Sequence, residues 1–509
     1  MIKIDNIKLP VGADEGEVFD VCVKKSKITR SAVKHFKILK KSIDARDKER
    51  VFYVYSAEIS DREESEERIV FDSVKSDKKV VVTGFGPAGI FCALYLARSG
   101  LKPIVIERGQ SVEEREKSVY KFVNEGLLDT ESNIQFGEGG AGAFSDGKLS
   151  TGVSGKFVRQ VLVDFVDFGA PKEILIDAKP HVGSDRLPTV VSNIRKEIER
   201  LGGKVMFSTK LTGFKFSGEK LIGVKTDKGE IKADDVVLAI GHSARDTFGV
   251  LKNIEMDIEP KAFAVGVRIE HLQEDISVAQ YGAKFAPLLP PADYRLATHG
   301  GGRGVFTFCM CPGGYVIPSA SEEGGVVTNG MSLYKRDGKN ANSALLCEVY
   351  PQDFGGDVFG GVEFQRKLER AAFEAGGKNY SAPVQLFGDF LSDKVSGCFK
   401  KVAPTYSVGT NFCDLNDLLP RVISDNLKFG VTDFGRKLKG FDMPDAVLTG
   451  IESRSSSPIR ILRGENFSAV RFSNIYPCGE GCGYAGGITS AAVDGIKVAG
   501  AIIEKYKGL

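Results

Sequence analysis

Two cysteines separated by one residue stand in the run Val305-Phe306-Thr307-Phe308-Cys309-Met310-Cys311, which alternates like a strand and sets Cys309 and Cys311 on one face. Thiols so spaced offer a nucleophile or a redox-active pair. Equally, they are two small residues that fill a buried strand face. Arg268-Ile269-Glu270-His271 alternates too, and His271 is a candidate general acid or base at neutral pH, or a satisfied structural histidine. The run from Glu452 to Arg460 gathers serine hydroxyls around two guanidiniums, Arg454 and Arg460. It reads as a clamp for a carboxylate or phosphate, or as an exposed charged turn. Five histidines show no paired spacing and no CxxC pair is present, so no metal site is expected.

Chemistry of this kind needs elements to position it, and the strongest lie earlier. Val80-Val81-Val82-Thr83 reads as a buried strand running into Gly84-Phe85-Gly86-Pro87-Ala88-Gly89. An apolar helix follows from Ile90 to Ser99, then a strand over 103–106 ending at Glu107 and Arg108. This is a full βαβ unit. Gly84 permits the tight turn, Gly86 admits a pyrophosphate to the backbone, and Gly89 lets helix pack on strand. Glu107 stands where an acid accepts from ribose hydroxyls. The helix start, with Pro87 and Ala88, presents free N–H groups to phosphate.

The rest of the chain selects FAD over NAD. No prompt βα repeat follows; 133–152 is a glycine-dense loop with no hydrophobic period. A helix over 187–201, a meander of strands at 204–208, 211–216 and 221–226, and an apolar strand ending at Gly241 give the order of a flavoprotein domain. About 390 residues beyond Gly89, a strand enters Gly479-Glu480, and Gly486, Gly487 and Ile488 open a helix running to Ile503. The acid suits a ribityl chain, and the helix N-terminus suits negative charge on a reduced flavin. A second Gly-x-Gly-x-x-Gly in a βαβ setting and a C-x-x-x-x-C on the FAD helix are both missing, so NAD(P)H is expected only as a transient electron donor.

Taken together, the fingerprint, GGAGAFSDGKL, FCMCPGGYVIP, GIESRSSSPIR and PCGEGCGYAGGITSAAVDGIKVAG resemble the bacterial FAD-dependent dehydrogenase family (NAD(FAD)-utilizing dehydrogenases) of glutathione-reductase-like flavoproteins. The resemblance covers nearly the whole chain. It implies FAD held by Gly84, Gly86, Gly89, Glu107, Glu480, Gly486 and Gly487, with the loop Ser145-Asp146-Gly147-Lys148 beside the flavin. There Lys148 is a candidate to stabilise the reduced ring.

The expected class is α/β. A Rossmann-type FAD-binding domain (76–260 and 441–509) carries an inserted α+β substrate or cap domain (261–440), and a small N-terminal α+β domain occupies 1–75. Net charge of +2 excludes a generally basic nucleic-acid binder, while 59 glycines in 509 residues, about 12% against a usual ~7%, point to backbone approaching a ligand. Nine cysteines, an odd number, and a charged N-terminus point to a reducing, cytoplasmic setting without a membrane span. Residues 24–50 hold eleven basic and three acidic side chains. With a helical face expected over 28–43, they form either an RNA-docking module or a solvated face. The leading expectation is an FAD-dependent oxidoreductase passing hydride through a tightly bound flavin to or from a small anionic substrate. The alternatives are an RNA-associated flavoprotein and a non-catalytic flavin sensor or scaffold.

Overall fold

Val80–Thr83 is buried at all four positions, as a parallel strand covered on both faces must be. In the computed structural model, which describes residues 1–218 and 220–507, this strand lies at the centre of a five-stranded parallel sheet. Ile475–Pro477 and Asp235–Leu238 stand on one side of it, Ile104–Ile106 and Lys204–Met206 on the other. The side-chain period of two divides the sheet. Val80, Val82, Val237 and Tyr476 pack with helices Pro87–Arg98, Leu187–Arg200 and Ile488–Tyr506, while Val81, Val236, Leu238 and Ile475 pack under a β-meander. The first and last helices cross closely because Gly495 has no side chain: a Cβ there would sit 2.2 Å from the Ala88 carbonyl oxygen. The sequence-distant strand and helix thus belong to one body, as the sequence predicts.

Within this body the meander differs from expectation. Lys204–Met206 is the outermost strand of the parallel sheet, and the meander consists of Leu211–Ser217, Lys220–Thr226 and Gly229–Lys232. Its third strand, Gly229-Glu230-Ile231-Lys232, has one apolar residue and so gives no alternating signal.

The inserted unit is built on an eight-stranded, mainly antiparallel sheet. Phe263–Leu272 is flanked by Asn340–Val349 and Val447–Glu452, and Val305–Pro318 pairs with the far side of Asn340–Val349. Helix Arg421–Lys437 covers one face, burying Ile423, Leu427, Val431 and Phe434 against Val265, Val267 and Leu345. Because Val447–Glu452 belongs to this sheet, the unit runs past the expected boundary at 440.

At the N-terminus, Ile2–Pro10, Phe52–Ser60 and His35–Asp44 form an antiparallel sheet in that order, with helix Glu17–Ser26 beside it. The helical face expected over 28–43 is corrected to a strand. A register shift between Ile38 and Lys40 interrupts the period of two, so Val33, Phe36, Ile38, Leu39 and Ile43 imitate helical spacing. Of the eleven cations over 24–50, five pair with acids: Arg30 with Asp20, Lys37 with Glu66, Lys41 with Glu15, Arg46 with Asp44 and Arg50 with Asp47. Among the described residues, no helix is long and apolar enough to cross a membrane.

Candidate functional site

Of the residues expected to hold the cofactor, all but Gly89 and Gly479 line one cleft: Gly84, Gly86, Pro87, Ala88, Glu107, Arg108, Ser145, Lys148, Gly241, Glu480, Gly486, Gly487 and Ile488. The two exceptions support it from below. A Cβ on Gly89 would lie 2.0 Å from the Gly84 oxygen, and one on Gly479 would lie 2.7 Å from Ala88 Cβ. Gly84 has φ +94°, a conformation that L side chains rarely adopt, and a Cβ there would meet the Ala239 oxygen at 2.3 Å.

Several features suit the cleft to a dinucleotide. Helices Pro87–Arg98 and Ile488–Tyr506 both start on it without a side-chain N-cap, leaving first-turn N–H groups for a ligand. At Gly241, Gly486 and Gly487 the space a Cβ would occupy is open. Glu107 accepts from Phe85 N at 2.7 Å through Oε2, and from Gly109 N and Gly137 N at 2.9 and 3.0 Å through Oε1. A carboxylate has about four acceptor positions, so one remains for a hydroxyl. Arg108 is fixed by Glu131 and Asp246 and lies over Phe136, 4.0 Å from the ring centroid. Burial pushes the Glu480 carboxyl up to about 7 against the pull of Lys261. His242, 3.7 Å away, is neutral because burial, aided by Arg454 and Arg245, pushes its ring down to about 3. These residues fit FAD.

The cap side of the cleft carries the thiols. Lys148 Nζ is 3.0 Å from Asp146 Oδ2 and 3.8 Å from Cys311 Sγ, and Arg336 grips Asp146 with two hydrogen bonds of 3.1 and 2.6 Å. Burial alone would depress Lys148, but Cys311 and Asp146 hold its ammonium above the usual lysine range. Cys309 lines the cleft beside Phe308, Asn329 and Glu452. A hydrogen bond with the Cys311 side chain, helped by Lys148 and Arg268, holds its thiol well below the ordinary range, whereas burial drives Cys311 up. The simple alternation read from the sequence is corrected here. The register shifts between Phe308 and Cys311, and Cys309 has φ +43°, so a bulge, rather than a regular strand face, brings the thiols together. Arg268 fixes the bulge, donating to the Cys309 oxygen at 3.0 Å and to Asn342 Oδ1 at 3.1 Å, with Nε 3.2 Å from Glu452. Burial, opposed by Arg268, pushes Glu452 up to about 7.

A Lys148→Met substitution removes one of the two cations near Cys309. Its iodoacetamide alkylation, followed by peptide mass spectrometry, is expected to shift its pH profile upward by roughly one to two units. An unshifted profile would refute this role of Lys148.

Two candidates stand elsewhere. His271 lies inside the cap sheet, donates from Nε2 to the Phe441 oxygen at 2.7 Å, and is pushed down to about 4 by burial. It reaches neither cavity, so its acid–base reading is corrected to a structural one. Arg454 touches the cleft, but its guanidinium is occupied. It binds Glu369 at 3.0 and 2.8 Å and donates to Ser243 and Ser321. Arg245 grips the same carboxylate at 2.8 and 2.7 Å, and Ser453 donates to it at 2.7 Å. The anion expected as a ligand is therefore Glu369 of the protein itself. Sequence reading overlooked Glu369, which sits among the alternating charges of helix Gly360–Ala375, and also Glu452, whose run drew attention to its arginines.

A second, more open cavity adjoins the first and shares Lys148, Ser150, Phe308, Cys309, Gly486 and Gly487 with it. Its remaining wall includes Lys179, Lys261, Tyr294, Arg295, Arg336 and Tyr484, with Asp293 and Glu348 as its acids.

Three family models match consecutive stretches of the chain: a domain of unknown function over 1–60, pyridine nucleotide-disulphide oxidoreductase over 78–254, and "FAD-dependent protein, C-terminal domain-like" over 262–455. An uncharacterized protein of Clostridium beijerinckii is 47% identical over 527 aligned positions, covering 99% of both chains. Solved structures that resemble it distantly include CtdE in complex with FAD (12% identity, 84% of each chain, TM-score 0.33). Another is L-proline dehydrogenase from P. horikoshii (15% identity, 86% of this chain and 95% of that one, TM-score 0.35). Matched end to end by that relative, and carrying both flavoprotein family models in order, the chain belongs to the bacterial FAD-dependent dehydrogenase family of glutathione-reductase-like flavoproteins and is an FAD-dependent oxidoreductase.

Proposed function

We propose that this oxidoreductase acts on a small anionic substrate that occupies the second cavity and meets the flavin at the wall containing Cys309 and Lys148. The supporting observation is the charge of that cavity: Lys148, Lys179, Lys261, Arg295 and Arg336 line it against Asp293 and Glu348. Lys179 is engaged by Asp293 at 2.6 Å, and Lys148 and Arg336 both by Asp146, which leaves Lys261 and Arg295 as the cations that meet the ligand. The bound flavin supplies two-electron chemistry. The protein's part is orientation, charge and exclusion of water: Tyr294, Phe308 and Tyr484 form the apolar wall, and the uncapped helix start at Gly487 directs its N–H groups at the junction of the two cavities. Nine free cysteines accord with a cytoplasmic setting.

The test is anaerobic bleaching of the visible flavin band by a panel of carboxylates, phosphate esters, NADH, NADPH and uncharged analogues. Anionic compounds are expected to bleach it and uncharged ones not. A Lys261→Met variant should raise the concentration for half-maximal rate about tenfold, as loss of one charge-assisted contact does. An uncharged compound that bleaches best, with no response to Lys261→Met, would refute the anionic assignment.

A further inference from the structure

We propose that Cys309 and Cys311 form a two-electron dithiol–disulfide couple that exchanges electrons with the flavin from the cap side of the cleft. This rests on the cofactor site described above and assigns a role to residues that cofactor binding alone leaves unused.

Three independent features converge on the pair. Between Phe308↔Ala344 and Cys311↔Asn342, strand Val305–Pro318 advances three residues while its partner advances two, so one extra residue is inserted into the ladder. The insertion holds Cys309 at φ +43°, a sparsely populated region for a residue with a side chain. In a regular strand, alternate side chains run parallel; here the bulge turns Cys311 toward its neighbour, so that its Sγ donates to the Cys309 oxygen at 3.2 Å. Second, cations from both units flank the pair: Lys148 from the cofactor unit, 3.8 Å from Cys311 Sγ, and Arg268 from the cap sheet, bonded to the Cys309 oxygen. Positive charge on two sides favours a thiolate, the reactive form. Third, Cys309 is partly exposed and belongs to the wall shared by the cleft and the second cavity, whereas Cys22, Cys92, Cys347, Cys478 and Cys482 are buried core residues whose thiols burial pushes up.

The exchange balances without a further reactant. Two thiols and oxidised flavin give one Cys309–Cys311 disulfide and two-electron-reduced flavin: two S–H bonds break, one S–S bond forms, and both electrons and both hydrogens pass to the flavin. The reverse reaction returns them. Cys309 is the attacking sulfur and Cys311 its partner, with Lys148 as a positioning cation.

The test uses the full-length, flavin-loaded protein. After anaerobic oxidation it is titrated with dithionite, and samples are denatured in iodoacetamide for mass spectrometry of the peptide holding both cysteines. The wild type is expected to take up about two two-electron equivalents per flavin, and Cys309→Ser and Cys311→Ser about one each. The oxidised wild-type peptide is expected to be unalkylated at both positions, a readout that depends on no variant. A yellow wild type that takes up one equivalent and alkylates both cysteines in the oxidised state overturns the couple alone. A protein without a visible flavin band overturns the cofactor assignment and the couple with it.

Discussion

A Gly86→Val variant is expected to purify folded but colourless. Gly86 has φ −80° and ψ −177°, an extended conformation open to any residue, and the heavy atom nearest to a Cβ there is Gly140 Cα at 3.8 Å. The protein alone therefore accommodates a side chain at this position. The ligand does not: Gly86 caps the helix whose first-turn N–H groups face the cleft, and valine fills the space where backbone and pyrophosphate must touch. Flavin affinity should fall at least about 100-fold, on the order of 2.7 kcal/mol. Stability of the cofactor-free form should stay within about 0.5 kcal/mol of the wild type. Visible absorbance per chain and thermal unfolding of both apo forms measure the two quantities. Stoichiometric flavin in the variant would refute the pyrophosphate assignment. Gly89→Val is the contrasting case, because a Cβ 2.0 Å from the Gly84 oxygen damages the fold itself.

The largest stability effect is expected at Glu369. Its carboxylate is 1% exposed and receives two hydrogen bonds each from Arg245 and Arg454. Glu369→Gln keeps the shape but leaves Arg454 without its counter-charge and Arg245 with only the partly exposed Glu322, 3.0 Å from its Nη1. Breaking a buried ion pair from one side costs about 3–5 kcal/mol. Urea unfolding at neutral pH reads this out, and a loss below about 1 kcal/mol would refute it. The pH dependence has a definite sign. Burial alone would raise the Glu369 carboxyl, but Arg454 and Arg245 outweigh it and hold it far below the ordinary glutamate value of 4.5. A depressed carboxyl stabilises fully above its unfolded pKa and loses that contribution as pH falls toward the folded value. Wild-type stability should therefore drop below pH 4.5 with a slope that Glu369→Gln lacks.

What the sequence disclosed and what it hid divide along a physical line. Gly84, Gly86, Gly89, Glu107 and the Gly486-Gly487 helix start are local requirements written in short runs of sequence, and the fold gathers them at one cleft, with Gly89 packed beneath it. The bulge at Cys309 depends on pairing with a strand over thirty residues away, and alternation in Val305–Cys311 carries no trace of it. Arg454 announced a charged site correctly but not its partner, since Glu369 lies on a separate helix brought near only by packing. The same holds for His35–Asp44, where a register shift disguised a strand as a helix.

The inserted unit leaves and rejoins the cofactor body through two short strands paired with each other: Ile258–Pro260 runs antiparallel to Ile459–Ile461, and Leu462 N donates to the Asp257 oxygen at 2.8 Å. Outgoing and returning chain are therefore clasped side by side, a strand spacing of about 4.8 Å apart. Nearly two hundred residues lie between the two strands of this clasp, and they meet the cofactor body again where Arg336 reaches Asp146 and Glu369 reaches Arg245. Changes of length inside that excursion which spare these bridges leave the ends of the clasp, and the dinucleotide cradle joined to them, in place.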